Sequence, residues 1–220
     1  MEHPVLMHIT RAGFTPLGWF APEPEDRLPG NSKFVILIGN AGPTMFRRFA
    51  MERNPAIDQM DDWTRTTVDR LASDIDATAL YPFDRPHLPF LTWARRGGGG
   101  HVSPLGLNIH AIFGLWHAYR AALSFPVAFD LPRHPAGSHP CESCTDKPCL
   151  SACPVSAFDG ASYDVARCGR HILQEPSQDC VPAGCKARLA CPVGRVYTYG
   201  PQQMAFHMAA FRQSRARELT

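Results

Sequence analysis

Eight cysteines, the only ones in a chain of 220 residues, fall between positions 141 and 191. The first group reads Cys141-Glu-Ser-Cys144-Thr-Asp-Lys-Pro-Cys149-Leu-Ser-Ala-Cys153-Pro154, and the second comprises Cys168, Cys180, Cys185 and Cys191-Pro192. Each group ends in Cys-Pro-Val. Thiolates are soft ligands, and an iron-sulfur cubane takes four of them converging on one point. Three close cysteines from one loop and one from elsewhere is an economical supply, and eight suffice for two such sets. Three other chemistries stay open on the cysteines alone: a disulfide framework, structural zinc, and a single cubane with four spare thiols. The first needs a secreted chain, whereas Met1-Glu-His-Pro lacks a basic start, an apolar run and a small-residue cleavage site. Zinc sites come as paired Cys-x2-Cys knuckles, and the second group has none.

The bacterial run for cluster binding is Cys-x2-Cys-x2-Cys-x3-Cys-Pro, whose fourth cysteine ligates the other cluster. The chain resembles two-cluster ferredoxins in this respect. The resemblance implies that Cys141, Cys144, Cys149 and Cys191 hold one 4Fe-4S cluster, and that Cys153, Cys168, Cys180 and Cys185 hold the other. Two departures stand out: four residues, not two, separate Cys144 from Cys149, and the group Cys168, Cys180, Cys185 and Cys191 is spread with gaps of 11, 4 and 5 residues.

The rest of the chain must carry whatever such clusters serve. A mass of 24.3 kDa allows one sizeable core and a small appended module, and 45% hydrophobic residues mark a globular protein. No apolar run approaches the ~18 residues of a membrane span, so a soluble, cytoplasmic protein is expected. The formal charge of +2 becomes about −2 once two oxidised cubanes with their thiolates are included. The arginines are scattered rather than gathered in a basic stripe, which argues against a nucleic-acid partner.

Patterning predicts a short helix over residues 4–13 ended by Gly13, a strand over 14–20, and a strand over 34–39 whose continuous apolar run suits the centre of a sheet covered on both faces. A helix from Thr44 to Glu52 starts after Pro43, and a longer amphipathic helix covers 60–76 with Trp63, Thr67, Leu71 and Ile75 on one face. A further strand is expected at 78–81, one or two helical turns at 90–96, and a flexible tetraglycine at 97–100. Gly114, between two apolar runs, suggests a strand, turn and strand over 105–125. The proline-rich stretch 126–140 reads as a linker, and 201–217 as a closing helix packed back on the body.

Three segments resemble the corrinoid-handling domain shared by epoxyqueuosine reductase and the cobalamin-trafficking protein CblC, within the nitroreductase-like folds. Ile-His110-Ala-Ile-Phe113-Gly-Leu-Trp116-His117-Ala-Tyr119-Arg120 is similar to the Ile-His-x-x-Phe-Gly-x-Trp-x-x-x-Arg segment of CblC. Residues 34–48, with Pro43-Thr-Met-Phe46, resemble the strand and turn before its first long helix. Asp84, ten residues before Ala94-Arg-Arg96 and its glycines, resembles the setting of the reductase's catalytic aspartate. That reductase also carries two cubanes after its corrinoid domain. The helical-repeat extension with which that reductase grips tRNA is not expected here, and neither is a tRNA substrate.

The expected fold is therefore α+β: a small mixed sheet with flanking helices in residues 1–130, a loop-rich two-cluster ferredoxin-like module in 131–200, and a final helix in 201–220. The resemblance implies a redox protein passing electrons from a partner protein through two 4Fe-4S clusters to a corrinoid or other acceptor. Phe113, Trp116 and Tyr119 would line an apolar slot, with His110, His117 and Arg120 as polar contacts and Asp84 as a proton donor once burial raised its pKa. A plain ferredoxin-type carrier and a cobalamin-processing chaperone or reductase are the alternatives. For the aromatic and histidine segment, an ordinary packed sheet face is the competing structural reading.

Overall fold

The computed structural model describes residues 3–54, 59–132, 138–174 and 180–218. In chain order its helices and strands are α1 (Pro4–Arg11), β1 (Thr15–Phe20), β2 (Phe34–Ala41), α2 (Thr44–Glu52), α3 (Met60–Asp74), β3 (Thr78–Leu80), α4 (Phe90–Arg96), β4 (His101–Val102), β5 (Asn108–Ile109), β6 (His117–Phe125), α5 (Pro148–Ser151), α6 (Val165–Leu173), α7 (Cys180–Ala183), α8 (Lys186–Leu189) and α9 (Pro201–Glu218). They divide into two compact units, one of residues 1–101 and 117–137, the other of residues 102–116 and 138–220. Of the expected linker 126–140, residues 133–137 lie outside the described residues.

The first unit is built on a sheet of order β1-β2-β6-β3. Every residue of β2 is buried. Successive side chains on a strand point to opposite faces, so full burial means cover on both. Helices provide it: α1 and α4 pack on β1, α2 on β2, and α3 on β3 and β6. All three strand pairings are antiparallel, with Phe34 opposite Phe125 and Ala41 opposite His117. The sheet is thus antiparallel rather than mixed. The continuous apolar run of β2 suits a strand covered on both faces, and such burial is compatible with antiparallel neighbours.

One part of this core gathers Phe20, Val35, Leu37, Leu80, Phe90, Trp93, Ala94 and Ala122. Trp93 has no exposed surface, and its indole N–H donates to the Asp26 carbonyl at 2.9 Å. Elsewhere in the unit Trp63 packs against Phe14 and Phe49. The buried stripe of α3, namely Met60, Trp63, Thr64, Val68, Leu71 and Ala72, follows the three-and-four spacing of an amphipathic helix. The tetraglycine departs from expectation. Gly97, Gly99 and Gly100 are buried, and the amides of Gly97 to Gly100 donate to carbonyls of Trp93, Ala94 and Arg95. They wrap the C-terminal end of α4, whose carbonyls would otherwise lack partners.

In the second unit regular structure is sparse. β4 pairs with β5, His110 bridges to Gly114, and short helices α5, α7 and α8 punctuate loops. The long helix α9 packs against α6 and α7. The expected hairpin over 105–125 does not form, because its two runs go to different sheets, β5 to the β4 ribbon and β6 to the large sheet. Gly114 lies between the two runs. It adopts φ 58°, and a Cβ there would lie 2.1 Å from the Val193 carbonyl oxygen. The turn is built to meet the segment after Cys191.

Candidate metal centre

Cys141 and Cys144 occupy the loop before α5, Cys149 lies within it and Cys153 follows it; Cys168 lies on α6, Cys180 opens α7, Cys185 precedes α8 and Cys191 follows it. All eight are free thiols, with Cys149, Cys180 and Cys191 buried and the others half-buried. The structure gathers them by fours. Cys141 is near enough to Cys191, Cys149 and Cys144 to feel their charge, and Cys191 likewise feels Cys144. Cys153, Cys168, Cys180 and Cys185 wall a single small cavity with Pro154, Val155, Phe158, His171, Ala187 and Met208 among their neighbours. Cys149, Cys191 and the partly buried cysteines pack with Leu105, Ile109, Leu115, Ala157, Phe158 and Ala187, so the thiols form part of this unit's core.

Burial pushes the Cys141 thiol up to about 11, with the charges of Cys191, Cys149 and Cys144 adding to the shift. Burial likewise raises Cys149, Cys168, Cys185 and Cys191. Hydrogen bonds to sulfur work the other way. The Ala157 amide donates to Cys153 Sγ at 3.3 Å. The Tyr163 hydroxyl favours the Cys168 thiolate, the amides of Arg188 and Ala187 that of Cys185, and the Val193 amide that of Cys191. Such donors are what an anionic sulfur site needs. Among the described residues no three His, Cys, Asp or Glu side chains are placed to hold a single metal ion. Sequence reasoning passed over Tyr163 and His171. His171 stands three residues after Cys168, the spacing that shares one helix face, which was the signal available.

The six residues expected to line a slot fall in different units: His110, Phe113 and Trp116 in the second, His117, Tyr119 and Arg120 in the first. His110 Nδ1 accepts from the amides of Ile112 and Phe113, fastening the turn that ends at Gly114. Phe113 packs edge-on to Tyr197, and Trp116 carries the Arg188 guanidinium over its ring. Arg120 ion-pairs with Asp61 at 2.5 Å and reaches the Thr64 hydroxyl. His117 meets Tyr119 edge to face. The Tyr119 hydroxyl is buried with no hydrogen-bond partner among the described residues, and burial alone raises its pKa. Tyr119 also lines an open cleft of about 420 Å³ with Pro82, His87, Leu88, Pro89, Phe90, Leu91 and Thr92.

Asp84 lies in the loop leading to that cleft, between β3 and α4. Its carboxylate ion-pairs with Arg65, whose guanidinium lies over the rings of Tyr81 and Phe83. The side chain is 39% exposed, so the burial that a proton-donor role called on is only partial.

No family model matches the sequence, and no curated protein does. Solved structures are similar in fold. Epoxyqueuosine reductase from Streptococcus thermophilus aligns with a TM-score of 0.56 at 17% identity, over 87% of this chain and 65% of that one. The Bacillus subtilis enzyme, in a structure with its catalytic aspartate loop swung out of the active site, aligns with a TM-score of 0.50 at 17% identity, over 87% and 65%. An epoxyqueuosine reductase bound to a tRNA stem loop aligns with a TM-score of 0.50 at 18% identity, over 88% and 66%. The chain thus spans about two thirds of the length of these neighbours, and what it shares with them is an α+β fold with a small antiparallel sheet and flanking helices.

Proposed function

We propose that the chain is an iron-sulfur redox protein whose second unit holds two 4Fe-4S clusters and whose first unit holds the electron acceptor, a corrinoid. The observation that carries this reading is the gathering of eight free thiols by fours, with hydrogen bonds to sulfur at Cys191 in one set and at Cys153, Cys168 and Cys185 in the other. Cys141, Cys144, Cys149 and Cys191 would hold one cluster, and Cys153, Cys168, Cys180 and Cys185 the other. Clusters bound there would supply one-electron transfer at potentials set by burial and by hydrogen bonds to their sulfurs. The chain's own contribution is to supply thiolates, to shield them among Leu105, Ile109 and Phe158, and to hold their charge with the amides of Ala157, Ala187 and Val193 and the hydroxyl of Tyr163.

The corrinoid half of the proposal rests on the fold likeness and on the cleft beside Tyr119. A corrin needs apolar walls with a few polar groups for its amide side chains. Leu88, Pro89 and Phe90 supply the walls, and the unpartnered Tyr119 hydroxyl supplies a polar contact. Asp84, paired with Arg65 in the adjoining loop, is the acid-base candidate.

Anaerobic iron and sulfide analysis tests the cluster half. The Cys144→Ser and Cys185→Ser variants should each lose about half of the parent's content; full retention in either would overturn the ligand assignment. Optical titration with cobalamin, then a limiting reductant, tests the other half. Saturable binding with reduction of cobalt supports it, whereas reducible clusters without binding would leave a plain electron carrier.

A tRNA substrate is a second reading, raised by the neighbour bound to a stem loop. The helix α9 carries Arg212, Arg215 and Arg217, although the wider charge pattern gives no basic stripe. Binding of a tRNA stem loop that weakens steeply with salt would favour it, and no binding at low salt would dismiss it.

A further inference from the structure

His171 is the one imidazole among the described side chains walling the cavity shared by Cys153, Cys168, Cys180 and Cys185. Its Nε2 is buried and has no hydrogen-bond partner among the described residues. Buried ring nitrogens are ordinarily satisfied, so an orphan in this position points to a partner that completes the cavity. The other wall side chains narrow what that partner is. Pro154, Val155, Phe158, Ala187 and Met208 are apolar, and Lys186 can only donate. Sulfur is what the cavity offers an N–H.

The helix α6 puts the imidazole there by construction. Cys168 and His171 are three residues apart and so share a face. Elsewhere on α6 Gly169 is buried, with the Arg215 side chain 3.5 Å from where a Cβ would lie. The Asp164 side chain caps the helix by accepting from the Arg167 amide at 2.8 Å.

We propose that His171 donates its Nε2–H to a sulfur of the cluster held by Cys153, Cys168, Cys180 and Cys185, and thereby raises that cluster's reduction potential above what the thiolates alone would give. The inference rests on the cluster reading above. Four thiolates already satisfy the four irons of a cubane, which leaves the imidazole as a donor rather than a ligand. The direction follows from charge: reduction adds an electron to the cluster, so a donor to its sulfur stabilises the reduced form more than the oxidised form.

The experiment is a mediator-poised redox titration of the anaerobically reconstituted full chain, followed by the electron paramagnetic resonance of the reduced clusters. His171→Phe should keep the parent's iron and sulfide. The ratio of reduced to oxidised second cluster at fixed mediator potential should fall about tenfold, which is 59 mV for a one-electron couple. The signal of the other cluster should not move. His171→Gln, which restores an N–H, should recover most of the shift and stands in if the phenylalanine variant fails to fold. An unchanged potential in a fully loaded His171→Phe protein would overturn the proposal and leave the clusters intact as a reading. So would selective loss of the second cluster's iron in both variants, because that marks a ligand. A parent protein that takes up no iron and sulfide would overturn the cluster reading itself, and this inference with it.

Discussion

A buried thiol is a poor ligand until it loses its proton, and burial holds five of the thiols here in the protonated form. Burial, then the neighbouring cysteines, push Cys141 to about 11, and Cys149, Cys168, Cys185 and Cys191 shift the same way. Metal binding by these five at neutral pH must therefore expel about one proton from each. The sign follows directly. Below the raised pKa protons compete with metal, so apparent affinity rises with pH and falls by about tenfold per thiol for each unit of acidification. Loading the metal-free protein in weak buffer with a pH indicator should show acid release, and retention constants should steepen between pH 6 and about 9. Loading without proton release would mean that the thiols are already ionised. This part of the site was open to sequence reading because cysteine spacing is itself the signal. His171 and Tyr163 were not, since a histidine or tyrosine carries no mark of its neighbours until α6 and the Phe158–Tyr163 bridge bring it to sulfur.

Short elements are placed by contacts far away in sequence. Gly114 and Gly194 show this most clearly, since a Cβ on Gly194 would lie 2.4 Å from the Phe113 carbonyl carbon and one on Gly114 would lie 2.1 Å from the Val193 oxygen. Both also have positive φ, 58° and 69°, a region that costs other residues about 1–2 kcal/mol even without a clash. Gly114→Ala should therefore destabilise the second unit by more than that conformational term, lowering its melting temperature and its iron content together. A fully loaded variant with the parent's melting curve would show that the backbone contact is dispensable. Where elements obey a local period, the sequence was readable: α1, β1, β2, α2, α3 and α4 lie within a few residues of the expected positions. The failures share one cause. The antiparallel order of the sheet, the capping role of the tetraglycine and the separation of β5 from β6 are all decided by what packs against them, which no local pattern encodes.

At the scale of the whole molecule, the two units owe their order to different forces. The first has a sheet whose β2 is buried throughout, with Trp93, Phe49 and Leu37 without exposed surface. That is an apolar core sufficient to hold its own backbone. The second has α5, α7 and α8 of four residues each, far below the length at which a helix persists unaided, and its core is in part the cysteines themselves. On the proposed cluster reading, order there comes from what the thiols bind, because metal-binding energy is folding energy when the site is not preformed. Hydrogen exchange on the loaded protein and on protein stripped by chelator under reductant separates the two cases. Stripping should expose the amides of 102–116 and of the short helices to rapid exchange while β2 and β6 keep their protection. The helix α9, at 18 residues, should retain partial protection. If the second unit stays as protected without metal as with it, its apolar contacts alone hold it. The cysteines would then be passengers in a core that folds without them, and the metal-centre reading would lose its structural ground.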